Sequence, residues 1–260
     1  MNAYLVSHNG LGDNLYMVGA LRFLSTYYET IYFLCRNVFV PNVELFFQGT
    51  NIQCLPFNTL DEFNDIRRIL AGAVGDVYVC GQCHKQYLTG RVTTQIACAP
   101  SKYTIDHDNL TSANYAFVED FYRDAGLTLT HFYEYFSLPR TPEAVAMWER
   151  ARGFHTIFVQ LKSSDGRRLN ISKLRERLAD PSVLVACNDE NLYPETSEQH
   201  ALAQTFVFEK IVHYTELIQN CAEIYLIDSC FIGLVLPYLK TGRLKATTVR
   251  ILLRGSDEAV

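Results

Sequence analysis

Short apolar segments alternate with helical stretches through the chain in two successive series, and this rhythm constrains the fold more than any other feature of the sequence. Residues 4–6, 31–34, 52–55 and 76–79 are brief apolar runs of strand length, while 15–28 and 61–70 carry helical spacing. Residues 115–125 form another helical stretch in which Phe117, Phe121 and Tyr122 share one side and Gly126 follows the end. Pro139 and Pro142 then break the pattern ahead of a helix at 143–152. The second series predicts strands at 156–160, 183–186, 206–208, 223–227 and 247–253, with helices at 171–178, 198–205, 214–221 and 231–239 between them. Strands that alternate with helices pair in parallel, because a parallel neighbour is reached only through a long crossover. The expected fold class is α/β, with two Rossmann-like domains facing a cleft. The first spans residues 1–140 and the second 141–260.

Composition fits a folded protein with a substantial core: 260 residues, 48% of them hydrophobic. Against 28 acidic side chains stand 23 basic ones, a net charge of −5 that argues against a general nucleic-acid surface but allows a local basic pocket. No basic region precedes an apolar segment at the start, and no apolar stretch reaches membrane-spanning length. The expected setting is cytoplasmic and reducing, with no membrane span; peripheral membrane contact stays open. Of the eight cysteines, Cys35, Cys54, Cys98, Cys187 and Cys221 sit singly in or beside apolar runs, as buried small hydrophobes do. The segment Cys80-Gly81-Gln82-Cys83-His84 has a spacing compatible with metal, redox chemistry or haem attachment. No second pair completes a zinc site nearby, so a strand end packed with thiols is the preferred reading and no metal is expected.

In the first series the chemistry concentrates at His8-Asn9-Gly10-Leu11-Gly12-Asp13-Asn14, where a strand runs into a helix. Gly10 and Gly12 permit a sharp turn or a close backbone approach to a ligand, and Asn14 adds a polar side chain. Asp13 either caps the helix or acts as a base in the mouth of a cleft. The next glycine is Gly19, so the dinucleotide fingerprint is not matched.

Ligands of open α/β sheets bind beyond the carboxyl ends of the strands, and three loops of the second series fall there. Lys162-Ser163-Ser164-Asp165-Gly166-Arg167-Arg168 mixes cations, hydroxyls and a glycine, either as a phosphate site or as a solvated basic turn. Asn188-Asp189-Glu190-Asn191 offers hydrogen bonds to a base or sugar, or is an ordinary polar turn. At Ile227-Asp228-Ser229-Cys230-Phe231 an apolar strand meets an apolar helix, so Asp228 and Ser229 either cap the helix, receive a phosphate, or do both. Ser229 lacks the setting of an esterase nucleophile. His213 lies where it would line a nucleotide pocket or pack within a loop.

Taken together, these pieces resemble the GT-B glycosyltransferases, especially the ADP-heptose:lipopolysaccharide heptosyltransferase family. The resemblance rests on the opening strand, Gly10-Leu11-Gly12-Asp13 and helix, and on the late strand that ends in Asp228-Ser229 before an apolar helix. It implies a compact GT-B-like fold, Asp13 as general base, and donor phosphates held by Asp228, Ser229 and the loop of Lys162, Ser163 and Ser164. Where the family commonly continues Asp-Ser with Gly-Pro-Met-His, this chain has Cys230-Phe231-Ile232-Gly233. Nucleotide-sugar transfer carries over from the resemblance, and the identity of the sugar does not.

The implied domain roles are an N-terminal acceptor side and a C-terminal nucleotide-sugar-binding side. The expected reaction is inverting, metal-independent transfer from a nucleotide-diphosphate sugar to the hydroxyl of a glycan or other acceptor, with no separate cofactor and no nucleic-acid partner. Gly10, Gly12, Asn14, Lys162, Ser163, Ser164, Arg167, Asn188, His213, Asp228 and Ser229 are the candidate ligand-binding residues around Asp13. Two other readings share the α/β rhythm: a non-catalytic nucleotide-sugar-binding or assembly protein, and another Rossmann-type enzyme such as an oxidoreductase or methyltransferase.

Overall fold

A computed structural model describes residues 1–7, 10–81, 112–252 and 260, and the chain divides into two compact units at Pro139 and Arg140. The first unit runs β1 (Asn2–Val6), α1 (Leu11–Tyr16), α2 (Val18–Leu24), β2 (Thr30–Arg36), α3 (Val40–Phe46), β3 (Ile52–Phe57), α4 (Glu62–Ala71), β4 (Asp76–Val79), α5 (Ser112–Asp124) and α6 (Leu129–Glu134). Its strands form one parallel sheet in the order β3-β2-β1-β4. Val6 lies opposite both Leu34 and Val79 in the ladder. Val6, Leu34, Phe57, Ile66, Leu70 and Val77 make a core cluster in which α4 covers the sheet.

The second unit runs α7 (Pro142–Ala151), β5 (His155–Gln160), β6 (Val183–Cys187), α8 (His200–Gln204), α9 (Thr215–Asn220), β7 (Glu223–Ile227), α10 (Ile232–Lys240) and β8 (Thr248–Leu252). Thr141 caps α7 by accepting the Ala144 N–H at 3.1 Å, with Pro142 in the first turn where its missing donor costs nothing. The parallel sheet has the order β6-β5-β7-β8. β6 and β7 are buried at every position, as strands covered on both faces must be. Among the described residues no helix is long and apolar enough to cross a membrane.

Three local expectations are corrected. The single helix expected over 15–28 starts earlier, at Leu11, and is broken at Met17. In an unbroken helix the Ala20 N–H would donate to the Tyr16 carbonyl; instead the Tyr122 hydroxyl stands in the ladder, donating to Tyr16 O at 2.8 Å and accepting from Ala20 N at 3.1 Å. Gly19 permits this approach, since a Cβ there would lie 2.4 Å from His131 O and 2.8 Å from the Tyr122 hydroxyl.

The helix expected over 171–178 is only a 3-10 turn at Arg175–Ala179. Lys173 and Leu174 give their N–H groups to the carbonyl of Val260, and the turn itself closes with three-residue hydrogen bonds, Leu174 N to Ile171 O and Arg177 N to Leu174 O, both at 3.0 Å. The strand expected over 206–208 is a turn, in which Phe208 has a φ of 58°. The helix α3 goes unpredicted, its short sequence opening on Val40-Pro41.

Cys35, Cys187 and Cys221 are buried, whereas Cys54 is half-buried. Contact with the Cys35 thiol, then burial, pushes the Cys54 thiol well above the usual range. Cys80 is buried at the end of β4, while Cys83, His84 and Cys98 lie outside the described residues.

Candidate functional site

Each sheet has one point where consecutive crossovers leave in opposite directions, and there the strand ends open a crevice for a ligand. In the first unit this point lies between β1 and β4, and in the second between β5 and β7.

At the first, β1 leads through the buried Ser7 to Gly10 and α1. The end of β4 is tied to it by Cys80 N donating to Val6 O at 2.9 Å, and Gly81 N donates to Asp124 Oδ2 at 2.8 Å. Gly10 takes the N-cap position with an ordinary extended backbone, so its use is closeness rather than handedness. Asp13, three residues on, turns its carboxylate back to accept the Gly10 N–H at 3.0 Å, and a Cβ on Gly10 would stand 2.8 Å from that same oxygen. Gly12 lies in the first turn of the helix rather than in a sharp bend. Asp13 thus caps, in the reversed sense of a third-position acid, and its negative charge sits at the positive end of α1. Asn14 is buried to 1% exposure, and neither Nδ2 nor Oδ1 has a hydrogen-bond partner among the described residues. An unsatisfied buried amide costs roughly 1–3 kcal/mol, an expense proteins tolerate mainly where the group has another task. His8 and Asn9 lie outside the described residues.

At the second point, β5 ends in Gln160 and passes into a small hairpin. Ser163 N donates to Arg167 O at 3.0 Å, Gly166 N donates to Ser163 O at 3.0 Å, and Gly166 supplies the left-handed turn with a φ of +85°. Ser163 is buried and its hydroxyl serves the hairpin, accepting Arg167 N at 3.1 Å and donating to Asp165; Ser164 is exposed. The cations are matched by carboxylates: Lys162 and Arg168 with Glu190, and Arg167 with Asp165. Hydrogen bonding from Arg168 holds the Glu190 carboxyl below its usual range, and hydrogen bonding from Ser163 and then Arg167 does the same for Asp165.

The residue that fixes this arrangement is Asp189, beyond β6. Its buried carboxylate accepts Leu161 N at 2.7 Å, Lys162 N at 3.0 Å and Gln160 Nε2 at 3.1 Å. One acid therefore sets the path of the neighbouring strand's exit, a role that reading the polar turn alone did not isolate. Its signal was a short acid two residues beyond a wholly apolar strand. Burial, and then the charge of Asp189, push the Cys230 thiol up to about 12.

The Asp228–Phe231 turn does not cap α10 with a side chain. Asp228 N donates across to Leu252 O at 3.1 Å, Ser229 O accepts from Ile232 N at 3.2 Å, and Phe231 is the N-cap residue. Among the described residues the buried Ser229 hydroxyl finds no hydrogen-bond partner, and neither does Gln160 Oε1. Phe231 is anchored below, its ring 5.0 Å from Phe158 and 5.3 Å from Tyr214, which is why a bulky aromatic stands two residues after Ser229.

Asn188 and His213 belong to a third, adjoining group. Asn188 Nδ2 donates to the Tyr214 hydroxyl at 3.0 Å, and His213 Nδ1 meets Glu209 at 2.9 Å. Glu209 N donates to the same hydroxyl at 3.2 Å. Of the predicted residues, Lys162 and Ser163, Asn188 and the Asp228–Ser229 turn thus follow the ends of three neighbouring strands of the second unit, β5, β6 and β7, and Gly10, Gly12, Asp13 and Asn14 follow β1 of the first.

No protein-family model matches the chain, and no curated protein matches it in sequence. Solved structures match it in fold. The E. coli ADP-heptose lps heptosyltransferase II superposes with a TM-score of 0.56 at 12% identity, over 100% of this chain and 92% of that one. The glycosyl transferase family 9 structure from Veillonella parvula DSM 2008 gives 0.56 at 10%, over 98% and 88%. E. coli heptosyltransferase WaaC with ADP-2-deoxy-2-fluoro heptose gives 0.52 at 12%, over 97% and 92%. With its paired parallel sheets in this order, the chain has the two-unit α/β fold of the GT-B heptosyltransferase structures.

Proposed function

We propose that this chain is a glycosyltransferase that moves a sugar from a nucleoside diphosphate sugar to an acceptor hydroxyl with inversion. The observation that carries this reading is the buried, unpartnered Ser229 hydroxyl at the switch point of a fold shared with glycosyltransferases. A diphosphate oxygen is the acceptor that this hydroxyl lacks, and the start of α10 adds the partial positive charge that favours an anion. The C-terminal unit is then the donor side. Lys162, Arg167 and Arg168 compensate the leaving group's charge by sharing their protons between phosphate and the carboxylates that now hold them, so that no metal is required.

The N-terminal unit is the acceptor side. Asp13 takes the proton of the acceptor hydroxyl, the oxygen forms its bond to the anomeric carbon, and the carbon–oxygen bond to the diphosphate breaks with its electron pair leaving on the nucleotide. The Gly10 N–H and the helix start keep the carboxylate ionised and aimed, as a base must be. The reading extends to a cytoplasmic enzyme that meets its acceptor in solution or at a membrane surface.

The test is a titration of the full chain with UDP-, GDP-, ADP- and CMP-sugars, followed by transfer assays in EDTA with a panel of hydroxyl acceptors. Selective donor binding that Ser229→Ala weakens, with transfer that survives EDTA, is expected. Donor binding without transfer to any acceptor would reassign the chain as a binding protein, and binding of NAD or a sulfonium donor instead would reassign the chemistry.

A further inference from the structure

Phe208 is 78% exposed, and its backbone is left-handed, with a φ of 58°. Each property is unfavourable for phenylalanine: the ring forgoes burial, and the conformation is one that glycine or asparagine adopts far more readily. Strained backbone persists only where the surroundings over-determine it, and it gathers at ligand sites.

Here the surroundings are visible. The Tyr214 hydroxyl donates to Phe206 O and accepts from Glu209 N at 3.2 Å, so one buried group pins the chain on both sides of Phe208. Phe208 N itself donates to Asn188 O at 2.8 Å, and the Asn188 side chain holds the same hydroxyl. Phe206 is fully buried, with the Arg150 guanidinium over its ring, so the turn cannot swing away. Phe208 is thereby presented from the turn after α8 and docked on Asn188, the residue before Asp189, which shapes the Lys162 exit of β5.

We infer that Phe208 is the platform on which the base of a nucleoside diphosphate stacks; this rests on the donor site proposed above. A flat ring held rigidly in solvent suits a flat partner, because stacking rewards a surface that is already ordered and sequence-tolerant. The phosphates reach the Ser229 and Lys162 side of the site, while the base lies over Phe208 and the Asn188 carbonyl edge.

The experiment is calorimetric titration of the full chain and its variants with ADP, GDP, UDP, CDP and inorganic pyrophosphate. Phe208→Ala should weaken the best nucleoside diphosphate by about 5- to 150-fold and leave pyrophosphate affinity unchanged. Phe208→Trp should restore the nucleotide affinity. Phe208→Gly should lose it as Phe208→Ala does while raising the thermal midpoint, because glycine relieves the left-handed backbone. Ser229→Ala should weaken pyrophosphate and nucleotide together. If pyrophosphate binds and Phe208→Ala leaves nucleotide affinity intact, the platform is wrong and the donor site stands. Equal loss of both ligands in Phe208→Ala would make Phe208 a structural residue and also overturn the platform. If neither pyrophosphate nor any nucleotide binds the wild-type chain, the donor site fails and the platform falls with it.

Discussion

Two strand exits, one in each unit, present an aspartate near a candidate site, and they use it in opposite ways. Asp13 spends one carboxylate oxygen on a backbone N–H three residues away, a purely local contact. Asp189 binds three donors on a different strand's exit, 27 to 29 residues distant in sequence. The local contact orients a group without making the fold depend on it, whereas the long-range one is part of the fold. An acid that ties one strand's exit to another is poorly suited to shuttle protons, whereas an acid that caps its own helix can do so. The neighbouring charges follow the same division, since the second unit's loop matches each cation with a carboxylate.

The largest effect that would break this comparison is catalytic. Asp13→Asn keeps an oxygen for the Gly10 N–H, so its stability should change by less than about 1 kcal/mol while turnover falls by roughly 10²- to 10⁴-fold. Steady-state transfer beside thermal denaturation checks both halves, and retained turnover would remove Asp13 as base. Asp189→Ala should do the reverse, costing about 3 kcal/mol or more by leaving three donors unsatisfied. A loss under about 1 kcal/mol in chemical denaturation would show that the strand exit holds itself.

A smaller effect sharpens the first unit's side. Gly19→Ala drives a Cβ against the His131 carbonyl and the inserted Tyr122 hydroxyl, and should cost about 1–3 kcal/mol. Unchanged stability in denaturant would mean that α2 and α6 separate freely.

Acid should divide the units more gently. Hydrogen bonding from Arg168 lowers the Glu190 carboxyl. At Glu223 burial alone would raise it, but hydrogen bonds from Tyr225, Arg177 and His155 together outweigh burial and lower it. A carboxyl lowered in the folded state stabilises fully above its unfolded pKa, near 4.3 for glutamate, and that contribution is lost as pH falls through the folded value. Hydrogen exchange from pH 6 down to pH 3 should therefore show the second unit's sheet losing protection, more so than β1 and β2 of the first. Equal loss in both sheets would contradict the contrast drawn between them.

The sequence exposed most of the sheets. Strands such as Glu223–Ile227 and Asp76–Val79 are short and apolar after a single leading acid, so a local pattern decides them. Helices with a full apolar face, such as Glu62–Ala71, were visible for the same reason. The three corrected segments have in common donors and acceptors supplied from elsewhere in the chain. Nothing near Met17 announces that Tyr122 will enter the helix ladder, and nothing near Lys173 announces that Val260 will take two N–H groups. At the site, residues next to strand ends were legible because topology sends ligands there, yet their pairing was not. The capping contact of Asp13 is written in a three-residue spacing, while the neutralised charges of the Lys162 hairpin and the fixed turn at Phe208 depend on residues from separate strands.

By itself, then, the sequence determined most of the strand segments, where glycine permits a close turn, and which polar residues follow strand ends, because these depend on neighbours within a few positions. Only the tertiary structure decided that Asp189 shapes the exit of β5, that Ser229 and Asn14 are buried without partners, and that Phe208 is held open to solvent. Each of those is a matter of hydrogen bonds and burial between segments distant along the chain, and such contacts exist only once the chain has packed.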